Sequence, residues 1–102
     1  MVKHMVVFKY KSGTPKAKQD EIHKLLGGLK GKIPGLQSFA GGYYKSSEGI
    51  NQGFTYGFVM DFTDEKARDV YLPHPEHEKV KDQIVPNLEG GIKGVIAFDF
   101  VC

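Results

Sequence analysis

One short segment of this chain holds the residue types most able to do chemistry. Tyr71 to His77 reads YLPHPEH, with a tyrosine, two prolines and two histidines three positions apart. An imidazole titrates near neutral pH, so it can act as a general base, a metal ligand or part of a helix cap. Which of these three roles applies depends on the helices and strands that position the segment.

His77 begins a helical stripe, because Val80, Ile84 and Leu88 follow it at i+3, i+7 and i+11. This spacing points the imidazole at the rest of the fold, so His77 is predicted to be a buried or cleft residue. Two interpretations stay open. His77 is either a core histidine satisfied by a hydrogen bond, or a general base tuned by a half-apolar cavity and a neighbouring hydroxyl.

His74 precedes Pro75, where a helix is expected to begin, and it is therefore predicted to be a cap or turn residue. His74 and His77 have a workable spacing for a metal pair. A third ligand is missing, however, because Glu76 and Glu78 should point elsewhere, and a structural zinc site normally has four nitrogen or sulphur ligands. No metal site is predicted.

Two other histidines lie among apolar residues. His4 shares a strand face with Val6, Phe8 and Tyr10, which is typical of an interior histidine. If the helices cover that face, His4 converges on the same cavity as His77. His23 borders the apolar stripe of the first helix, and a boundary position is expected for it.

The composition is that of one soluble globular domain over residues 1–102, with 40% hydrophobic and 25% charged residues. The net charge of +2 comes from dispersed lysines, so nucleic-acid binding is not predicted. No apolar run is long enough to cross a membrane. The only cysteine is Cys102, and no signal-peptide pattern opens the chain, so a cytoplasmic protein is expected.

Periodicity predicts the order strand, helix, strand, strand, helix pair, strand. The first helix should begin with Thr14 as N-cap and Pro15 at its first position, and Pro34 should end it. Its apolar stripe comprises Ile22, Leu25, Leu26, Leu29 and Ile33. The predicted strands are 3–11, 36–44, 54–62 and 95–101, and the predicted short helix is 63–71, with a second helix from Pro75. This order is the ferredoxin-like split βαβ plan, an α+β fold with an antiparallel sheet.

Such a sheet has helices on one face only. The other face would carry Met5, Val7, Val59 and half of the last strand, which are apolar. An exposed apolar face of that extent predicts a homodimer through the open sheet face.

Four segments, VKHMVVFKYK, QGFTYGFVMDF, YLPHPEH and VIAFDF, occur in this order along nearly the whole chain. Together they resemble the stress-responsive A/B barrel (Dabb) family, whose members pair into a dimeric α/β barrel. The family includes plant stress proteins and a polyketide cyclase that makes olivetolic acid. The resemblance therefore implies a single Dabb domain, a dimer, and either binding or cyclase chemistry.

The resemblance to that cyclase implies roles for several residues. His77 would be the base that removes a proton next to a ketone, and Tyr71 would be the hydroxyl that orients it or the substrate. The implied reaction is an intramolecular aldol condensation without a cofactor. The expected substrate-binding residues are His4, Val6, Phe8, Ile22, Phe39, Tyr56 and Phe58. Tyr56, Phe39, Phe58 and His23 differ from the residues of the cyclase, so a different substrate is expected.

Three functions remain open from the sequence. The favoured one is a Dabb homodimer that is stress-related or binds a small hydrophobic or polyketide-like metabolite. The second is a cofactor-free cyclase or lyase that uses His77 and Tyr71, and the third is a dimeric-barrel monooxygenase with a haem or polyaromatic pocket. A cavity of roughly 300 Å³ or more, with His77 and Tyr71 hydrogen-bonded and facing it, would favour chemistry.

Overall fold

The computed structural model describes all 102 residues and has four strands and three α-helices. In chain order they are β1 Val2–Phe8, α1 Lys16–Gly28, β2 Leu36–Tyr43, β3 Tyr56–Phe62, α2 Glu65–Tyr71, α3 Pro75–Ile84 and β4 Val95–Val101. The sheet order is β2-β3-β1-β4, and every pair of neighbours is antiparallel. The predicted ferredoxin-like α+β fold is therefore confirmed.

Strand β1 lies in the middle of the sheet and sets which residues face the helices. His4 pairs with Met60 on one side and with Asp99 on the other. The side chains of His4, Val6 and Phe8 are buried, because the period of two in a strand turns them all towards the helical layer. The parity read from the sequence is correct here.

Helix α1 covers this face with Ile22 and Leu26, and Leu29 joins them directly after the helix; all three are almost completely buried. Leu25, expected in the same stripe, is 40% exposed, because it lies at the edge of the stripe beside the groove between α1 and α3. The helix also begins one residue later than predicted. The Thr14 hydroxyl does not cap it but donates a hydrogen bond to the Lys11 carbonyl oxygen at 2.8 Å.

Helix α2 is short and begins at Glu65, after Asp64, whose carboxylate accepts a hydrogen bond from the Ala67 amide at 2.8 Å. This cap satisfies an amide of the first turn, and the last residue of the helix, Tyr71, is buried in the core. Val70, predicted to share the inward side, is exposed. None of the helices is long and apolar enough to span a lipid bilayer.

The other sheet face is open. Met5, Ile96, Phe98 and Phe100 are all exposed there, in alternation with the inward residues of the same strands. Val7 and Val59 on this face are partly exposed. This apolar surface, called the open face below, has the residues and the position expected from the sequence.

Candidate functional site

The site begins at the start of helix α3, where the sequence placed its candidate cap. His74 has extended backbone angles, and its Nδ1 accepts a hydrogen bond from the Glu76 amide at 3.1 Å, while Pro75 occupies the first helical position. Proline suits this position because its missing N–H has no partner in the first turn. His74 is therefore the helix cap, as predicted, and the cap leaves His77 facing inward.

His77 is held by the backbone just before α3. Its Nδ1 lies 2.8 Å from the Leu72 carbonyl oxygen. A carbonyl oxygen only accepts, so Nδ1 carries the proton and Nε2 keeps its lone pair. Burial is the main cause that lowers the pKa of His77; Lys81 and His4 add to it, and the Leu72 carbonyl oxygen and Glu78 oppose it. The imidazole is thus neutral near pH 7, with one nitrogen available as a base.

Tyr71 packs against His77, but not through the hydrogen bond that the sequence suggested. The two rings are stacked with centroids 4.2 Å apart, and no hydrogen bond joins the hydroxyl to the imidazole. Tyr71 is only 1% exposed, and burial, followed by the charge of Asp99, raises the pKa of its hydroxyl. The hydroxyl therefore stays protonated and can act as a hydrogen-bond donor.

His4 approaches the same place from strand β1. Its ring meets Tyr71 edge-on at 5.7 Å, and its Nδ1 lies 2.7 Å from Asp99 Oδ1. Asp99 Oδ2 accepts a hydrogen bond from Arg68 Nη1 at 2.9 Å, which raises the pKa of the guanidinium. Asp99 thus orients His4, and Arg68 balances the negative charge of Asp99.

His4, Tyr71 and His77 line a cavity of about 290 Å³ between the helices and the sheet. Of the predicted site residues, six border it: His4, Val6, Phe8, Phe58, Tyr71 and His77. Ile22, Phe39 and Tyr56 do not. The volume lies at the lower limit for ligand pockets, and most of the lining is apolar. The criterion set for chemistry is met only in part, because Tyr71 and His77 face the cavity without a hydrogen bond between them.

An aromatic cluster fills the space between helices and sheet next to the cavity. Tyr56 belongs to this cluster and therefore does not border the cavity. The His23 ring stacks on Tyr56 with centroids 3.4 Å apart and planes 6° from parallel, and the Tyr10 hydroxyl lies 2.8 Å from His23 Nε2. Burial lowers the pKa of His23 to about 4, and the charge of Asp20 opposes this shift. His23 is partly buried, which agrees with the boundary position expected for it, and its stack on Tyr56 occupies the volume beyond Phe8.

Sequence reasoning missed Asp99, Arg68 and Lys81 as residues of this region. A signal existed for Asp99, because it alternates inward with Val95 and Ala97 on β4 and so places a carboxylate on a buried face. Arg68 lies 31 residues away in sequence and had no such signal. Lys81 follows His77 by one helical turn and borders the same cavity.

Two other observations bear on ligands. No group of three or more histidine, cysteine or acidic side chains is placed to hold a metal ion. A larger cavity, of about 480 Å³, lies on the other side of the sheet between Val7, Ile96 and the connection from β2 to β3. Because that cavity opens on the open face, away from His4 and His77, the smaller one is the better candidate for chemistry.

The sheet, its one layer of helices and the cavity between them define a ferredoxin-like α+β protein. The chain belongs to the stress-responsive A/B barrel domain family, whose model matches residues 2–102. The chain is 40% identical over 76 residues, 74% of its length, to the stress-response A/B barrel domain-containing protein At5g22580 of Arabidopsis thaliana. That match spans 66% of the relative, slightly less than two thirds of its length.

Solved structures have the same fold. A dimeric ferredoxin-like protein of unknown function from Jannaschia sp. CCS1 superposes with a TM-score of 0.89 at 28% identity, covering 99% of this chain and 98% of the other. Hydroxynitrile lyase from Passiflora edulis superposes with a TM-score of 0.88 at 19% identity, covering 99% and 92%. The second likeness concerns the fold alone.

Proposed function

We propose that this chain forms a homodimer through its open face and binds a small, mostly apolar metabolite in the cavity beside His4 and His77. The observation that carries the proposal is the cavity itself. Its walls are mainly aliphatic and aromatic, and its polar groups converge on one side, which is the usual arrangement of a ligand site. The dimeric description of the Jannaschia protein supports the pairing.

The binding proposal is tested by filling the cavity. Ala97 borders it from strand β4 and is exposed, so Ala97→Phe adds a ring at the edge of the cavity without entering the packed core. Native mass spectrometry of wild type purified from its own host should show a bound small molecule. Ala97→Phe should lose that molecule while keeping its thermal stability, whereas equal retention by both would contradict the proposal.

A cofactor-free cyclase or lyase is the second candidate, favoured by the free Nε2 of His77 and the unengaged hydroxyl of Tyr71 on the same cavity. In this mechanism His77 Nε2 takes a proton from the carbon next to a ketone, and Tyr71 donates a hydrogen bond to the ketone oxygen as it becomes an enolate. The enolate carbon then bonds to a second carbonyl carbon of the same molecule. The resulting alkoxide regains a proton from the imidazolium, and water leaves later.

The first step of this mechanism is measurable without the natural substrate. Deuterium exchange at the methylene of a medium-chain β-keto ester, followed by proton NMR, should be faster with wild type than in buffer. A general base contributes about 10²-fold or more, so His77→Gln should return the rate nearly to that of buffer. Tyr71→Phe should also slow exchange. If exchange with wild type is no faster than in buffer, the cyclase or lyase function is contradicted and only the binding function is retained.

A further inference from the structure

Lys81 gives the cavity a second polar feature that the histidine and tyrosine roles do not use. His77, Lys81 and Ile84 follow one another at i, i+4 and i+7 on helix α3, Val85 comes directly after the helix, and all four border the cavity. Ile84 is buried and His77 is partly buried, and the side chain of Lys81 is 44% exposed. The helix therefore places Lys81, whose ammonium group pairs with Glu78, at the edge of a mostly apolar cavity.

The burial of the lining residues distinguishes a closed floor of the cavity from a solvent-exposed rim. Leu26, Phe8 and Phe58 form its buried floor, and Leu72 and Ile92 are exposed at its rim. Because Lys81 is half-exposed, it belongs with the rim. A ligand that enters would place its apolar part on the floor and its polar end near Lys81.

The charges around the cavity favour a negative polar end. No acidic side chain borders the cavity, and Lys81 is its only lining residue of fixed charge. Asp99, behind His4, already has both oxygens engaged, by His4 and by Arg68. The one competing anion is Glu78, which does not border the cavity and whose Oε1 lies 3.1 Å from Lys81 Nζ. Such a half-exposed pair contributes at most about 1 kcal/mol, so a ligand anion can displace it.

We infer, on the basis of the proposed ligand site, that the cavity takes amphiphilic anions: molecules with an apolar chain on the floor and a carboxylate or similar acidic group held at the rim by Lys81. Lys81 is then a specificity-determining residue, and it lies one helical turn from His77. An acidic carbonyl compound bound in this way would have its first carbons beside His77 and Tyr71.

The test compares two probes that share a chain and differ in charge, octanoate and octan-1-ol, titrated into wild type and Lys81→Met by calorimetry. The variant should weaken octanoate binding about fivefold, the upper range for a partly exposed charge pair, and should leave octan-1-ol unchanged. Glu78→Gln should have the opposite effect and tighten octanoate binding, because it frees Lys81.

Lys79→Met is the matched control, since Lys79 is on the same helix, has a side chain that is 73% exposed and does not border the cavity. If Lys79→Met weakens octanoate as much as Lys81→Met, or if Lys81→Met weakens both probes equally, the anion inference is overturned. Wild type that binds octan-1-ol but not octanoate overturns it too and leaves the proposed binding function intact. Wild type that binds neither probe overturns both.

Discussion

Phe98 offers the sharpest test of the proposed dimer. It lies at the middle of strand β4 on the open face and is 66% exposed in the single chain. A fully packed phenylalanine buries about 150–250 Å², so roughly 100–160 Å² of Phe98 is left for a partner to cover. At about 25 cal/mol per Å², that area corresponds to about 2.5–4 kcal/mol per protomer.

Replacing Phe98 by alanine removes most of that area. The loss is about 2 kcal/mol per protomer and about 4 kcal/mol per dimer, because a two-fold interface uses the same patch twice. The dissociation constant of the dimer should therefore rise roughly a thousandfold. Val59→Asp should split the dimer as well, since an unpaired charge buried in the interface costs several kcal/mol.

Sedimentation equilibrium over a range from nanomolar to high micromolar protein measures these constants. Leu25→Ala is the matched control, because Leu25 is a partly exposed apolar residue on helix α1, in the opposite layer. It should leave the dimer unchanged. A Phe98→Ala dimer as tight as wild type would show that the open face is not the interface, and a wild-type monomer at micromolar concentration would refute the dimer altogether.

Two further predictions concern stability. His74→Ala removes the cap of α3 and should lower the free energy of unfolding by about 1 kcal/mol in urea titrations, whereas the exposed mid-helix change Lys79→Ala should stay within about 0.5 kcal/mol. Because burial lowers the pKa of His23 from 6.5 to about 4, the unfolded chain takes up a proton at this position below pH 6.5 and the folded chain does not. Stability should therefore fall by about 1 kcal/mol from this group between pH 6.5 and 4, after allowance for its partial exposure. Unfolding titrations of His23→Gln should show a shallower pH dependence, and equal slopes in both proteins would contradict this account.

The fold could be predicted from local patterns because most of its determinants are local. Alternation identified the inward residues of β1 and β3, and Pro75 marked where α3 begins. Pro34, expected to end α1, lies six residues beyond its last residue, Gly28. The sequence predicted the rotation of α1 and α2 about their axes less well. Leu25 and Val70 fit an apolar stripe, yet both are exposed, because the neighbouring elements cover less than the full width of the stripe.

The sequence predicted which residues form the candidate site better than it predicted the contacts between them. The sequence brought Tyr71, His77 and His4 together, but it could not show that the rings of Tyr71 and His77 stack or that Nδ1 of His77 is used by a backbone carbonyl. It also placed Tyr56 on the pocket wall. The stack of His23 on Tyr56 joins residues 33 positions apart, and no local pattern reports such a contact.

The sequence of strand β4 also helps to specify its register against β1. Its odd-numbered residues Val95, Ala97 and Asp99 face the helices, and the even-numbered residues between them form half of the open face. A slip of one position against β1 would exchange the two sets, sending Asp99 outwards and a phenylalanine into the place opposite His4. The bonds from Asp99 to His4 and Arg68 would then be lost together. The contacts of Asp99 with His4 and Arg68 therefore favour the native register of β4, an edge strand that is hydrogen-bonded to the sheet on one side only.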